Sequence, residues 1–133
     1  MSDDLERALA SLPERVNASP ALLRIGRFCS VEFLLEVGDR PWHLKVERGR
    51  LASVEPGPFR MRAWAFAVRA EEGTWRRFWA PVPEPGFNDI FAMASRGHAR
   101  IEGDVGPLLE SLRYVKEVLA LPRAMLEEAR HGR

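Results

Sequence analysis

Apolar and polar positions alternate most cleanly between Val31 and Glu47. Val31, Phe33, Leu35 and Val37 interleave with Glu32, Leu34 and Glu36, which predicts a strand with one buried face. Gly38-Asp-Arg-Pro41 supplies a turn, and Trp42, Leu44 and Val46 alternate with His43, Lys45 and Glu47 on the return strand. His43 therefore falls on the polar side. Gly49 turns the chain again, and Leu51 to Glu55 form a short third strand ended by Pro56-Gly-Pro58.

Other segments carry a helical period. Leu5, Ala8, Leu9, Leu12 and Val16 share one face, with Asp3 or Asp4 as cap and a bend or restart at Pro13. Arg60 to Arg69 alternates again and predicts a fourth strand, apolar on both sides over its middle, with Trp64, Phe66 and Val68 on one side and alanines on the other. Trp75, Phe78 and Trp79 share a helical face that turns Arg76 and Arg77 outward. Pro81, Pro83 and Pro85 stiffen a linker, and Phe87, Ile90, Phe91 and Ala94 share the next helical face. His98 to Glu102 is a short edge strand. Asp104 and Pro107 then open the last helix.

That last helix has two apolar stripes. Val105, Leu108, Leu112, Val115 and Leu119 form the first; Tyr114, Val118 and Leu121 form a second, about 140° away. A surface helix needs only one. The second stripe faces a ligand cavity, another element or a partner protein. Pro122 is expected to end the helix, and the charged tail from Glu127 to fray, as do residues 1–4.

Residues Phe91-Ala-Met-Ala-Ser-Arg-Gly97, then His98-Ala-Arg-Ile-Glu-Gly-Asp104, then a leucine-rich helix, resemble the C-terminal half of the sterol carrier protein type-2 family of lipid-binding domains. Glu14-Arg-Val-Asn-Ala-Ser-Pro20 and the strands of 28–37 and 42–47 resemble that family's first helix end and hairpin. The resemblance runs from Leu5 to Leu121 and departs from the pattern at Pro81-Val-Pro-Glu-Pro-Gly86. It implies an α+β fold, a mostly antiparallel sheet of about five strands covered on one face by helices, with an apolar tunnel between them. It also implies binding of a fatty acyl chain, sterol or similar lipid.

Composition narrows the function. A chain of 133 residues is enough for one domain with one core, here taken as 1–133. A formal net charge of +1 gives no global case for nucleic acid or an anionic membrane. No apolar run reaches the ~20 residues of a membrane span. The acidic N-terminus lacks the marks of a signal peptide, and the lone Cys29 forms no internal disulfide, so a cytoplasmic protein is expected. His43, His98 and His131 show no metal-ligand spacing, and neither cofactor nor metal is expected. No nucleophile elbow or phosphate loop occurs.

Four tryptophans and seven phenylalanines are the strongest residue-level case for a pocket, because aromatics line apolar cavities with few rotamers. The expected lining is Trp64, Phe66, Trp75, Phe78, Trp79, Phe87, Phe91, Leu112, Val115 and Leu119. The expected activity is carriage without catalysis, with at most transient membrane contact through the Trp75–Trp79 helix. One alternative is an interaction module with a solid core, using Tyr114, Val118 and Leu121 to form a homodimer or hold a protein partner. Another is an enzyme using His98 or Asp104 as acid or base.

Overall fold

The computed structural model describes residues 1–132. Five strands form one mixed sheet in the order β3-β2-β1-β4-β5. They are β1 (Val31–Val37), β2 (Arg40–Glu47), β3 (Arg50–Pro56), β4 (Phe66–Ala70) and β5 (Ala99–Gly103). The chain is α+β, and the sheet is antiparallel except for one parallel pair. Strand β1 pairs β2 with Val31 opposite Val46, and β4 pairs β5 with Phe66 opposite Gly103. Strand β1 pairs β4 in parallel, with Phe33 opposite Phe66.

Among the described residues seven helices complete the fold: α1 (Asp3–Ala10), α2 (Leu12–Asn17), α3 (Pro20–Ile25), α4 (Glu72–Phe78), α5 (Ile90–Ser95), α6 (Gly106–Glu110) and α7 (Leu112–His131). The chain breaks between α1 and α2 at Ser11, two residues before Pro13, as expected. Ser19 caps α3 by accepting from the Leu22 amide, and Asp89 caps α5 by accepting from the Phe91 amide. The long α7 is central to the helical layer, touching α1, α2 and α3. The sheet turns Phe33, Leu35, Val37, Trp42, Leu44, Val46, Phe66 and Val68 into the main hydrophobic core.

The two ends of the sheet are distinct. Strands β1 and β4 begin, and β2 and β5 finish, at what we call the proximal end. There Gly26 and Gly49 meet backbone to backbone: a Cβ on Gly49, whose φ is +81°, would lie 2.7 Å from the Gly26 carbonyl carbon. The Tyr114 hydroxyl closes this junction by donating to the Gly49 carbonyl at 2.7 Å.

Several sequence expectations are corrected. The fourth strand begins at Phe66, not Arg60. Met61 adopts a left-handed φ of +53°, and residues 57–65 run across the outer face of the sheet as a strap. His43 lies wholly buried on that outer face. Its Nε2 lies 3.1 Å from both the Ala63 carbonyl and a Glu32 carboxylate oxygen, Phe59 packs edge-on against its ring, and its Nδ1 has no partner. Alternation marked this face as solvated because the strap that covers it comes from elsewhere in the chain.

Helix α7 continues through Pro122 to His131. Proline removes the N–H that would reach the Val118 carbonyl and commonly loosens the next carbonyl as well. That next carbonyl, on Leu119, accepts the Trp79 indole N–H at 2.8 Å. Near the helix end, Glu128 is paired to Arg15 at 2.6 Å.

The second stripe of α7 is not a free surface. Tyr114 and Val118 are buried in the chain's own core and Leu121 is half-buried against it. The face exists because α1–α3 pack on the side of α7 away from α4. The Trp75–Trp79 face is likewise buried, so this helix does not offer its aromatics to a membrane.

Candidate functional site

Helix α4 packs its apolar stripe inward and builds an aromatic block. Trp75 and Trp79 stack with centroids 5.1 Å apart, and Phe78 meets Trp75 edge-on at 5.5 Å. Both indoles are satisfied, Trp75 by the Glu36 carbonyl at 2.8 Å and Trp79 by Leu119. Across the sheet side Phe66 stacks flat on Phe33 at 4.8 Å. Phe87 lies between the Arg77 guanidinium, 3.8 Å above its centroid, and the exposed His98 ring.

Nine of the ten expected lining residues fall in or against one cluster. Phe66, Trp75, Phe78, Trp79, Phe87, Val115 and Leu119 are buried there, while Phe91 and Leu112 are half-buried beside it. Trp64 stands apart. It precedes β4 at the end of the strap, and Arg69, which also bridges Glu36 and Glu102, stacks over its ring. Alternation placed Trp64 beside Phe66 only on the assumption that the strand was already running.

A groove of about 1130 Å³ opens at the distal end of the helical layer. Its apolar surface comes from Ala8, Trp79, Ala80, Pro81, Met125, Leu126 and Ala129. Trp79 is thus shared between the aromatic block and the groove. The other lining residues, on α1, α2 and the last turns of α7, were not anticipated. Met125 offered the one sequence signal, since it extends the apolar pattern beyond Pro122.

Charges ring this groove. Asp4 on α1 accepts from Arg76 on α4 at 2.9 Å, and Arg15 on α2 pairs with Glu128 on α7. The Arg76 guanidinium holds the Asp4 carboxyl down at about 2. Arg15 lowers Glu128 in the same sense. Among the described residues Arg7, also on the rim, has no ion pair.

The candidates for chemistry are dispersed. His98 and Asp104 flank opposite ends of β5. Asp104 accepts from the Gly106 amide at 3.0 Å, as a helix-opening residue does. Cys29 is buried against Ser111, and burial raises its thiol pKa. Among the described residues no group of three or more His, Cys, Asp or Glu side chains could hold a metal ion.

The arrangement has known counterparts in three dimensions. A crystal structure of sterol carrier protein 2 superposes with a TM-score of 0.71 at 16% identity, covering 92% of this chain and 98% of that one. The fold is that of the sterol carrier protein type-2 domain. A conserved hypothetical protein of Thermus thermophilus, described as possibly a sterol carrier protein, matches with a TM-score of 0.66 at 14% identity over 92% of this chain and 90% of its own. The sterol-carrier fold also recurs within a stereoselective inverting sec-alkylsulfatase from Pseudomonas, at a TM-score of 0.58 and 14% identity. That match covers 86% of this chain but only 16% of the enzyme. No family model matches the sequence, and no curated protein sequence matches it either. Among the described residues no helix is long and apolar enough to cross a membrane.

Proposed function

We propose that this chain binds an apolar small molecule of the lipid class between its helical layer and its sheet, and releases it unchanged. The observation that carries this reading is the position of Trp79. Trp79 lines a groove large enough for a drug-sized or acyl ligand, and its ring stacks into the aromatic block behind. The groove is the mouth, and the nine clustered aromatic and aliphatic residues are the walls an acyl chain meets as the helices part. Trp64 has no part in it. The sterol-carrier fold supports the same ligand class.

The energetics need no chemistry. Burying roughly 250 Å² of acyl surface at ~25 cal/mol per Å² contributes about 6 kcal/mol before ordering costs, which suits reversible carriage. The placements of His98 and Asp104 favour this over catalysis, since neither meets the other or a nucleophile. The interaction-module alternative loses its working surface with Tyr114 and Val118 buried.

Native mass spectrometry of the purified protein, followed by solvent extraction and lipid analysis, tests the proposal. A stoichiometric apolar passenger, or uptake of one from a mixed lipid panel, is expected. Phe91→Ala should weaken uptake more than folding, while Trp64→Ala leaves uptake unchanged. A protein that stays empty against the whole panel overturns the reading.

A further inference from the structure

We propose that a second cleft, between α1 and the distal end of β2 and β3, binds a small carboxylate with an apolar body. Helix α1 turns Asp3, Glu6, Arg7 and Ala10 towards it, since residues three and four apart share a helical face. The sheet supplies Arg40 and Trp42 from β2 and Val54 and Pro56 from β3. Each of these pairs is two residues apart and so shares a face of its strand, and the register sets Trp42 opposite Pro56. The space enclosed is about 390 Å³, room for one small ring or a short branched chain.

Two donors at this cleft have nothing to bond. The Trp42 indole N–H and the Arg40 Nε–H are both buried, and neither has a hydrogen-bond partner. Trp42 as a whole is only 3% exposed. The other two buried indoles, on Trp75 and Trp79, each donate to a carbonyl. A buried N–H without a partner is costly and uncommon, and one position rarely carries two. These two are neighbours, because the Arg40 guanidinium stands 5.9 Å from the centroid of the Trp42 ring. Both orphans are donors, so the ligand must bring acceptors.

A carboxylate meets that need with two oxygens and with charge. One oxygen accepts from the guanidinium in a charge-assisted bond, and the other accepts the indole N–H. The fork of Arg40 is available, since its ion pair with Glu6 is 3.5 Å long, beyond a strong hydrogen bond. Its side chain is also 38% exposed, which lets it swing outward and uncover the indole beneath. Arg7 lines the cleft without an ion-pair partner among the described residues, and it offsets the negative charge that enters. Asp3 stands in the first turn of α1, where the helix dipole meets its charge. The apolar body of the ligand then lies against Ala10, Val54 and Pro56.

The cleft shares only Arg7 with the groove, so its occupation and lipid uptake are tested separately. The full chain, isotope-labelled, is titrated with sodium benzoate while its indole N–H signals are followed by NMR. Trp42→Phe assigns the Trp42 signal by its loss. A saturable downfield shift of that signal is expected as the N–H gains a hydrogen bond, with the Trp64, Trp75 and Trp79 signals unmoved. Benzamide has the same shape without the charge and should bind about tenfold more weakly. Arg40→Met removes the guanidinium, and Arg40→Lys keeps the charge without the planar fork. Each should weaken benzoate binding about tenfold while the thermal melt stays unchanged. The proposal is overturned by the absence of a saturable shift, by equal affinity for benzamide, or by Arg40 variants that bind like the wild type. A shift at Trp79 instead of Trp42 also overturns it, because the probe has then entered the groove.

Discussion

The Trp79 indole N–H donates to the Leu119 carbonyl at 2.8 Å, three residues before the proline in the middle of α7. The two residues are 40 apart in sequence, and the bond ties α4 to α7 just ahead of Pro122. Trp79→Phe should keep most of the packing but lose this buried hydrogen bond, at a cost of about 0.5–1.5 kcal/mol. Urea unfolding of the variant checks this; an unchanged midpoint would mean that water satisfies Leu119 instead.

Gly49→Ala should cost more. Its φ of +81° disfavours any side chain, and the added Cβ would collide with the Gly26 backbone at 2.7 Å, where no flexible group can yield. We expect a loss of several kcal/mol, read by thermal melting. Tyr114→Phe at the same junction strands the Gly49 carbonyl and should cost about 1–3 kcal/mol.

Tyr114 also gives the alkaline limit. Burial raises its phenol well above the ordinary value of 10.0, so the folded state keeps a proton that the unfolded chain releases. Stability from this group is complete below pH 10 and falls as pH rises beyond it. Tyr114→Phe should be less stable near neutrality yet flatter in its pH profile above 10, as denaturant midpoints across that range will show.

At the acid end the sign reverses. Asp4 sits at about 2, against 3.8 for a free aspartate, because Arg76 bonds its charged form. The pair contributes above about pH 4 and loses its contribution as pH falls from 3.8 towards 2. Both partners are substantially exposed, so solvent screening limits the effect to ~0.2–1 kcal/mol. NMR titration of Asp4 in Arg76→Met should return its midpoint towards 3.8.

Cys29 should resist alkylation in the native protein, since burial holds its thiol protonated. Iodoacetamide labelling at mildly alkaline pH should be slow without urea and fast with it. Equal rates in both would show that the Gly26–Gly49 junction opens readily.

The sequence was most legible where one face of an element meets the core and the other meets water. Helix α4 satisfies that condition, and β1 and β2 do so except where the strap covers Leu34 and His43; their periods identified them and the aromatic block. Arg60–Ala65 did not. Its alternating residues imitate a strand, but the left-handed turn at Met61 and the pull of His43 on the Ala63 carbonyl lay it across the sheet. His43 itself looked solvated for the same reason. The groove escaped notice because its walls come from α1, α2 and the end of α7, and a local reading of Pro122 removes the last of these. Helix α7 runs on to His131 and supplies that wall.

The sheet is open at both sides, with β3 and β5 as its rims. Unpaired rims can template further chains into fibrils, and this protein has devices against that. Strand β5 is only five residues long, carries Arg100 and Glu102, and ends on Gly103 at φ +93°. Strand β3 carries Arg50 and Glu55, finishes on a proline, and meets β2 through a register irregularity at Lys45/Val46. These features disfavour growth of the sheet from one copy into the next. Engineering that straightens or neutralises either rim, however helpful to local stability, would exchange that colloidal safety for a route to amyloid.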